Sequence, residues 1–401
     1  MSTRSNGGII GPQNRSTSAT AVGVWHLFDV QQSVLARNWP GFTPQVPSPP
    51  AVGTVTLSGL TATIPYTLGY NGGSTITKIT AISIPGGLIG TVTGSPPSAS
   101  ITVSGLSAST TYSFYVYATN AVGDGTGANS NPVTTAGYVT VNYLLVAGGG
   151  AGGFNYAGGG GAGGFLANSS VTIGTAVSYT VTVGAGGPTD TGSGVAAANS
   201  SVIGGAVSLT AIAGGIGTTT NGHTATSGGS GGGGGGGNGR AGGSGTAGQG
   251  NAGGNAGSGN TDGSGGGGAG AAGSVAPGGV AYTAGGAGGI GLTSSITGSS
   301  VYYAGGGGGG TYLTGTGGAG GTGGGATGGT GTGGAGSAAT ANTGGGGGGG
   351  AGANGNGGAG GSGVVIILSP VAAASTTGSP TVTNPSGNYC YKFTGNGSIT
   401  F

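Results

Sequence analysis

Half of residues 228–363 are glycine, 68 of 136. Most of the rest are Ala, Ser, Thr and Asn. Three glycine runs are unbroken: Gly231 to Gly237, Gly305 to Gly310 and Gly344 to Gly350. Such a stretch has too few side chains to build a side-chain core. Ordering it costs on the order of 1–2 kcal/mol of backbone entropy per residue, and glycine loses the most. Two outcomes are open: a flexible linker, or backbones that pack directly on one another. The second has a known geometry. Polyglycine can take a left-handed helix like polyproline II, with about 3 residues per turn and no internal hydrogen bonds. Each N–H and C=O then points outward, and neighbouring helices can satisfy one another, as burial demands. Collagen is excluded, because the glycines follow no strict triplet and the block holds one proline, Pro277.

The flanks choose between the two. Tyr143-Leu144-Leu145-Val146 leads into the glycine-rich region, and Val364-Val365-Ile366-Ile367 leaves the block. Both are short apolar runs bounded by glycine, the pattern of buried strands. If they pair, the ends of the block are held together, which a linker does not need. The expectation is a packed, polyglycine II-like block.

Composition narrows the function. Only 2% of the 401 residues are charged, against about 25% in ordinary globular proteins. There is no Glu, and the acids are Asp29, Asp124, Asp190 and Asp262. A formal charge of +2 is too small and too dispersed for a nucleic-acid footprint. The start, MSTRSNGGIIGPQNRS, is polar where a secretion signal carries an apolar core. No run approaches the roughly 18 apolar residues of a membrane span. One cysteine, Cys390, leaves the redox compartment unreadable, and the residue is expected small and buried or half-buried. Repeated G-x-G-x-x-G matches carry no weight in a half-glycine stretch. Neither Lys78 nor Lys392 stands in a phosphate-binding loop. His26 and His223, the only histidines, read as surface or packed residues. The expectation is a protein that is not an enzyme and uses no metal or cofactor.

Along the chain, Val24, Leu27, Phe28, Val34 and Leu35 fall near helical spacing. Thr17 or Ser18 can cap the start, and Pro40 ends the helix beyond Trp39. A single short helix is marginal alone and is expected to dock, either on its own neighbouring domain or, as an attachment peptide, on a larger assembly. PGFTPQVPSPP over 40–50 reads as an extended, semi-rigid spacer. Residues 51–136 carry short alternating runs with turns between them, an all-β pattern. YVTVNYLLVAG, AVSYTVTVGAGG and AVSLTAIAGG continue it with rising glycine. Tyr389 to Thr394 and Ser398 to Phe401 flank Gly-Asn-Gly, a hairpin signal.

GLSASTTYSFYVYATNAVGDG resembles the late strands of fibronectin type III domains. Leu106 and Tyr112 stand at the family's leucine and corner tyrosine, whose hydroxyl ties a crossing loop to the sandwich. ATIPYTLGYNGGSTITKITAIS resembles the second and third strands, with Tyr66 where the family has tryptophan. The order of parts, over nearly the whole chain, resembles bacteriophage tail-fibre proteins, especially those of phages from marine and cyanobacterial hosts. The carriers are GGIIGP with VGVWHLFDV and NWPG, then NYLLVAGGGAGG, GGSGVVII and YCYKFTGNGSITF. The block also resembles a phage adhesin in which a polyglycine II lattice displays receptor-choosing loops.

The resulting expectation is mainly β. It comprises an attachment segment with a short helix and proline-rich spacer (1–46) and a fibronectin type III-like sandwich (47–136). A β base (137–227), the lattice (228–363) and a C-terminal strand and hairpin (364–401) follow. The resemblance implies a virion protein assembled in the host cytoplasm and released by lysis. Its partners would be other virion proteins, gripped through Val24, Trp25, Leu27, Phe28 and Trp39, and a host receptor, glycan or outer-membrane protein. Neither nucleic acid nor membrane insertion is implied, and a homotrimer is the assembly to test. Tyr is favoured in binding loops because it gives contact area at low entropic cost. Tyr282, Tyr302, Tyr303 and Tyr312 are therefore the expected receptor-facing residues. The other readings are a capsid decoration or head-fibre protein, and a bacterial glycine-rich surface protein.

Overall fold

The computed structural model describes residues 43–401, except 96, 220–222, 237–238, 257–261 and 278–283, with the backbone alone described at Ser169. The expected helix and its Val24, Trp25, Leu27, Phe28 and Trp39 lie outside the described residues, as does Tyr282. The chain forms two compact units, Met1–Gly137 and Tyr138–Phe401. Among the described residues no helix is long and apolar enough to cross a membrane.

In the first unit, nine strands form two sheets: β1 (Ala51–Val52), β2 (Thr56–Ser58), β3 (Thr61–Thr67), β4 (Lys78–Ile84), β5 (Ile89–Thr93), β6 (Ser100–Val103), β7 (Thr111–Thr119), β8 (Ala128–Asn129) and β9 (Val133–Thr134). In one sheet β3 pairs with β1, β2 and β6; the other runs β5-β4-β7-β8, with β9 also on β7. Strict alternation puts Tyr112, Phe114, Val116 and Ala118 of β7 into the core, against Ile64, Ile79 and Ile101. This is the expected fibronectin type III-like sandwich. The Tyr112 hydroxyl accepts the Ser107 N–H at 2.9 Å, the corner bond anticipated. Tyr66 is buried in place of the tryptophan, and its hydroxyl donates to the Ser98 carbonyl. The proline-rich segment is no free spacer. Gln45 and Ser48 N–H donate to Gly72 and Tyr70 carbonyls at 2.7 and 2.8 Å. The Asn120 amide donates to the Gln45 and Asn71 carbonyls at 2.7 and 2.8 Å. Residues 45–48 are thereby strapped to the sandwich.

The second unit contains β10 (Tyr138–Val146), β11 (Phe165–Gly174), β12 (Ser178–Thr182), β13 (Ser200–Gly204), β14 (Val207–Ala211), β15 (Leu292–Ser294), β16 (Val301–Tyr303), β17 (Val364–Ser369), β18 (Ser375–Thr377), β19 (Thr381–Thr383), β20 (Tyr389–Phe393) and β21 (Gly397–Thr400). Two five-stranded sheets, β11-β10-β17-β20-β19 and β14-β13-β12-β21-β18, make a sandwich. The expected base and C-terminal segment are therefore one structure. β10 and β17 pair directly, antiparallel, from Asn142↔Leu368 to Val146↔Val364. Tyr143 and Leu145 enter the core between the sheets. Leu144 and Val146 pack on the other face with Val364, Ile366, Tyr303 and Cys390. Burial on both faces is why YLLV and VVII read as continuous apolar runs. The expected terminal hairpin does not form: β20 and β21 sit in different sheets. The Gly-Asn-Gly turn crosses the sandwich instead of closing a ladder.

Between β10 and β17 lies the backbone lattice, and one run shows its order. In Gly305 to Gly310 the N–H groups donate in rotation to three neighbours. Gly305 and Gly308 reach Gly323 and Ala326, Gly306 and Gly309 reach Gly289 and Gly286, and Gly307 and Gly310 reach Gly160 and Ala157. The carbonyls accept in the same rotation. Gly346 and Gly349 donate to Gly305 and Gly308, Gly321 and Gly318 to Gly306 and Gly309, and Gly266 and Gly263 to Gly307 and Gly310. All twelve bonds span 2.8–3.1 Å. A three-residue rotation with six different neighbours is hexagonal polyglycine II packing, with each helix three residues per turn. A Cβ on Gly307, Gly308 or Gly309 would fall on the Gly347, Gly318 or Gly263 carbonyl. Glycine is required there by close approach.

The lattice begins earlier than the composition boundary at 228. Residues 147–164 are inside it: Gly149 donates to Gly361, Gly152 to Gly358, and Gly160 to Gly347. These early runs alternate with strands, so their glycine content is diluted over any long window.

Candidate functional site

The lattice has two ends, set by how its runs leave and rejoin the sandwich. Gly148–Gly153 leaves β10 and Ala157–Gly164 returns to β11, so 154–156 turn at the far end. The run 305–310 starts from β16 and carries Tyr312 to that same end. There the Tyr156 and Tyr312 rings meet, with centroids 4.6 Å apart and planes at 46°. Asn155 Oδ1 accepts the Asn354 N–H at 3.4 Å, and the Gly352 N–H donates to the Thr311 carbonyl at 2.7 Å. Three far-end turns thus converge on one aromatic pair.

Polar side chains close the ends of the runs, where backbone N–H groups lose their lattice partners. Asp262, fully buried, accepts the Tyr312 N–H at 2.8 Å. One oxygen of Asp190, also buried, accepts the Gly192, Ser193 and Gly194 N–H groups at 2.8, 2.9 and 3.0 Å. Arg240 donates to the Thr219 carbonyl at 2.8 Å. These carboxylates act as caps, by the same logic that seats anions on successive backbone N–H groups. Among the described residues no three His, Cys, Asp or Glu side chains group to hold a metal ion.

The expected tyrosines separate. Tyr312 is half-buried at the far end. Tyr302 and Tyr303 lie on the β15–β16 hairpin at the sandwich end. Tyr302 faces out opposite Thr293 and is 50% exposed. Tyr303 is 3% exposed and packs with Leu144, Val146, Ile366 and Cys390. It is a core residue and not receptor-facing, because adjacent strand residues point to opposite faces. Its burial beside Cys390 raises its phenol above the ordinary range. Burial likewise pushes the Cys390 thiol up, opposed by a Thr383 hydrogen bond and by Lys392. Tyr156 was missed, although Phe154-Asn155-Tyr156 interrupts glycine as clearly as the later patches do. Placing the block boundary at 228 hid it.

The hairpin leaves an open groove on either side. One, of about 440 Å³, is lined by Asn142, Asn168, Ser294, Ser295, Ile296 and Leu368 among others. The second, of about 270 Å³, lies over β19 and β20 and includes Thr381, Thr383 and Lys392.

The glycine-rich domain family matches residues 131–369, more than half of the chain. The chain belongs to this family. The matched span opens just before β10 and closes at the end of β17, so it contains the whole glycine-rich domain lattice. The fibronectin type III domain matches residues 64–136, in agreement with the first unit's two sheets and corner tyrosine. No curated protein matches. A crystal structure of chicken CNTN1 FN1-FN3 domains is similar over 45% of this chain and 70% of its own, at 17% identity and TM-score 0.21. At that score the likeness carries no argument. The two domains fit a structural or adhesive role in general.

Proposed function

We propose that the chain is a bacteriophage virion protein, a tail-fibre adhesin that binds a host surface receptor without catalysing a reaction. The observation carrying this reading is the far end of the lattice, where turns from three separate parts of the chain converge on the Tyr156–Tyr312 pair. A backbone-bonded lattice holds its runs without using their side chains. Turns between runs are then free to vary in sequence, as binding loops vary on other rigid scaffolds. An aromatic pair flanked by asparagine and threonine suits a receptor with both apolar and hydroxylated surface. The first unit serves as a spacer, and the segment before Thr43 serves as the grip on other virion proteins.

Adsorption of particles carrying Tyr156→Ala with Tyr312→Ala tests the reading. It is expected to fall at least tenfold while the thermal midpoint of purified protein changes little. Unchanged adsorption overturns it. Gold-tagged antibody against residues 51–136 is expected at the tail or fibre tips of intact particles. Gold over the head replaces the adhesin reading with capsid decoration.

A further inference from the structure

The groove beside the β15–β16 hairpin sits at the opposite end of the lattice from the tyrosine pair. It is built where the β10–β11 ladder is broken. Pairing runs in register from Tyr138↔Gly174 to Val141↔Val171, then shifts before Tyr143↔Asn168. The shift leaves residues 169 and 170 opposite Asn142. Ser170 takes a φ of 77°, a left-handed conformation uncommon for a residue with a side chain. It is held there by its N–H, which donates to Asn142 Oδ1 at 3.1 Å. Bulges re-aim side chains and are enriched beside binding sites. Backbone outliers held by a dedicated partner are likewise enriched there.

The bulge aims two amides at one space. With its oxygen engaged by Ser170, Asn142 keeps its NH2 for a ligand. The exposed Asn168 side chain has no hydrogen-bond partner among the described residues. Across the groove stand the Ser294 and Ser295 hydroxyls, with Ile296 and Leu368 supplying apolar floor. The volume, about 440 Å³, falls in the range of small-molecule sites. No Asp, Lys, Arg or His lines it. A charged ligand would find no counter-charge there. Amide donors and acceptors, hydroxyls and a small apolar floor match a ligand with many hydroxyls on an apolar ring face.

We infer that this groove is a binding site for a neutral saccharide, one or two sugar rings in size. The site is independent of the far-end tyrosines and would give the chain a second, lateral contact with a glycan-coated surface.

The test is titration calorimetry of the full chain with lactose, maltose and chitotriose, and with sialyllactose as the charged control. Ser295 is exposed, so Ser295→Trp fills the groove without entering a core. Asn168→Ala removes one amide and leaves the Asn142–Ser170 bond intact. Binding of at least one neutral sugar is expected, weakened tenfold or more by Ser295→Trp and at least threefold by Asn168→Ala. Tyr312→Ala is expected to leave that binding unchanged while lowering cell adsorption. Failure of all three neutral sugars to bind overturns the inference, as does a preference for sialyllactose. Equal binding by Asn168→Ala and wild type overturns it even if Ser295→Trp fails to fold. Loss of sugar binding in Tyr312→Ala with retention in Ser295→Trp would move the saccharide to the far end. That outcome would sink this site and leave the adhesin reading standing.

Discussion

The two units of this chain solve the same problem with opposite materials. Residues 51–136 bury side chains: Phe114, Ile64 and Ile79 are fully enclosed between two sheets. The lattice of the second unit buries backbone, and its bonds run from peptide to peptide in three directions around each run. A side-chain core trades stability against volume in small steps, because neighbours relax around a change. A lattice of backbones has no such slack. The side chain is absent at the contact, so the nearest atoms are carbonyls that are already bonded. The first unit is tolerant in its interior and ordinary in its turns. The second is intolerant in its interior and free in its turns.

That contrast can be broken most directly with a single methyl group. Gly308→Ala places a Cβ against the Gly318 carbonyl and is expected to cost more than about 4 kcal/mol, the range of exceptional substitutions. Hydrogen exchange read separately in the two units checks it. Protection should collapse across residues 147–363 and persist in 51–136. Retained protection in the second unit would mean that the lattice relaxes as side-chain cores do. Removing one methyl from the first unit is the matched experiment. Ile64→Val is expected to cost about 1 kcal/mol, seen as a small shift of that unit's denaturant midpoint with an unchanged slope. A cost as large as that of Gly308→Ala would erase the distinction.

The smallest effect sharpens the border between lattice and sandwich. Cys390 and Tyr303 share one apolar cluster, and burial raises both groups above their ordinary values. The unfolded chain therefore gives up these protons first. Stability is full below the ordinary thiol value of 9.0 and falls as pH rises through the folded-state values. Alkaline melting curves should show this decline, and Cys390→Ala with Tyr303→Phe should make it shallower, leaving the part due to buried Tyr66 and Tyr179. Unchanged slopes in the double variant would remove these groups as the cause. In native protein at pH 8, Cys390 should also resist a thiol reagent that labels it on unfolding.

Much of this contrast was legible in the chain. A block of 68 glycines in 136 residues leaves backbone packing as its route to order. Apolar runs at its borders announced that the ends pair. Tyr112 and its corner were legible because the alternation in β7 is unbroken. Other features depend on partners far away in sequence. Whether Tyr302 or Tyr303 faces inward turns on a one-residue choice of face in a three-residue strand. The flanking Gly and Ser carry no pattern that makes this choice. The Gly-Asn-Gly turn has the local chemistry of a hairpin, but β21 finds β12 and β18 instead of β20. The β10–β11 bulge left no trace, since Asn168 to Ser170 are polar in either register. Tyr156 was hidden by the way the block was bounded rather than by the residues themselves.

The six neighbours of Gly305 to Gly310 carry one more consequence, for how the chain comes into being. They are drawn from positions 157 to 349, so this run cannot be completed from what precedes it. β10 gains its partner β17 only when Val364–Ser369 has been synthesised. A chain emerging from the ribosome can fold its first unit as soon as residue 136 is free. It must then hold one edge of β10 and the early lattice runs without their last partners, across more than two hundred residues, until the closing strand arrives. Contacts so remote in sequence make folding slow. The interval between the two events is when this protein is most exposed to mispairing with its own copies.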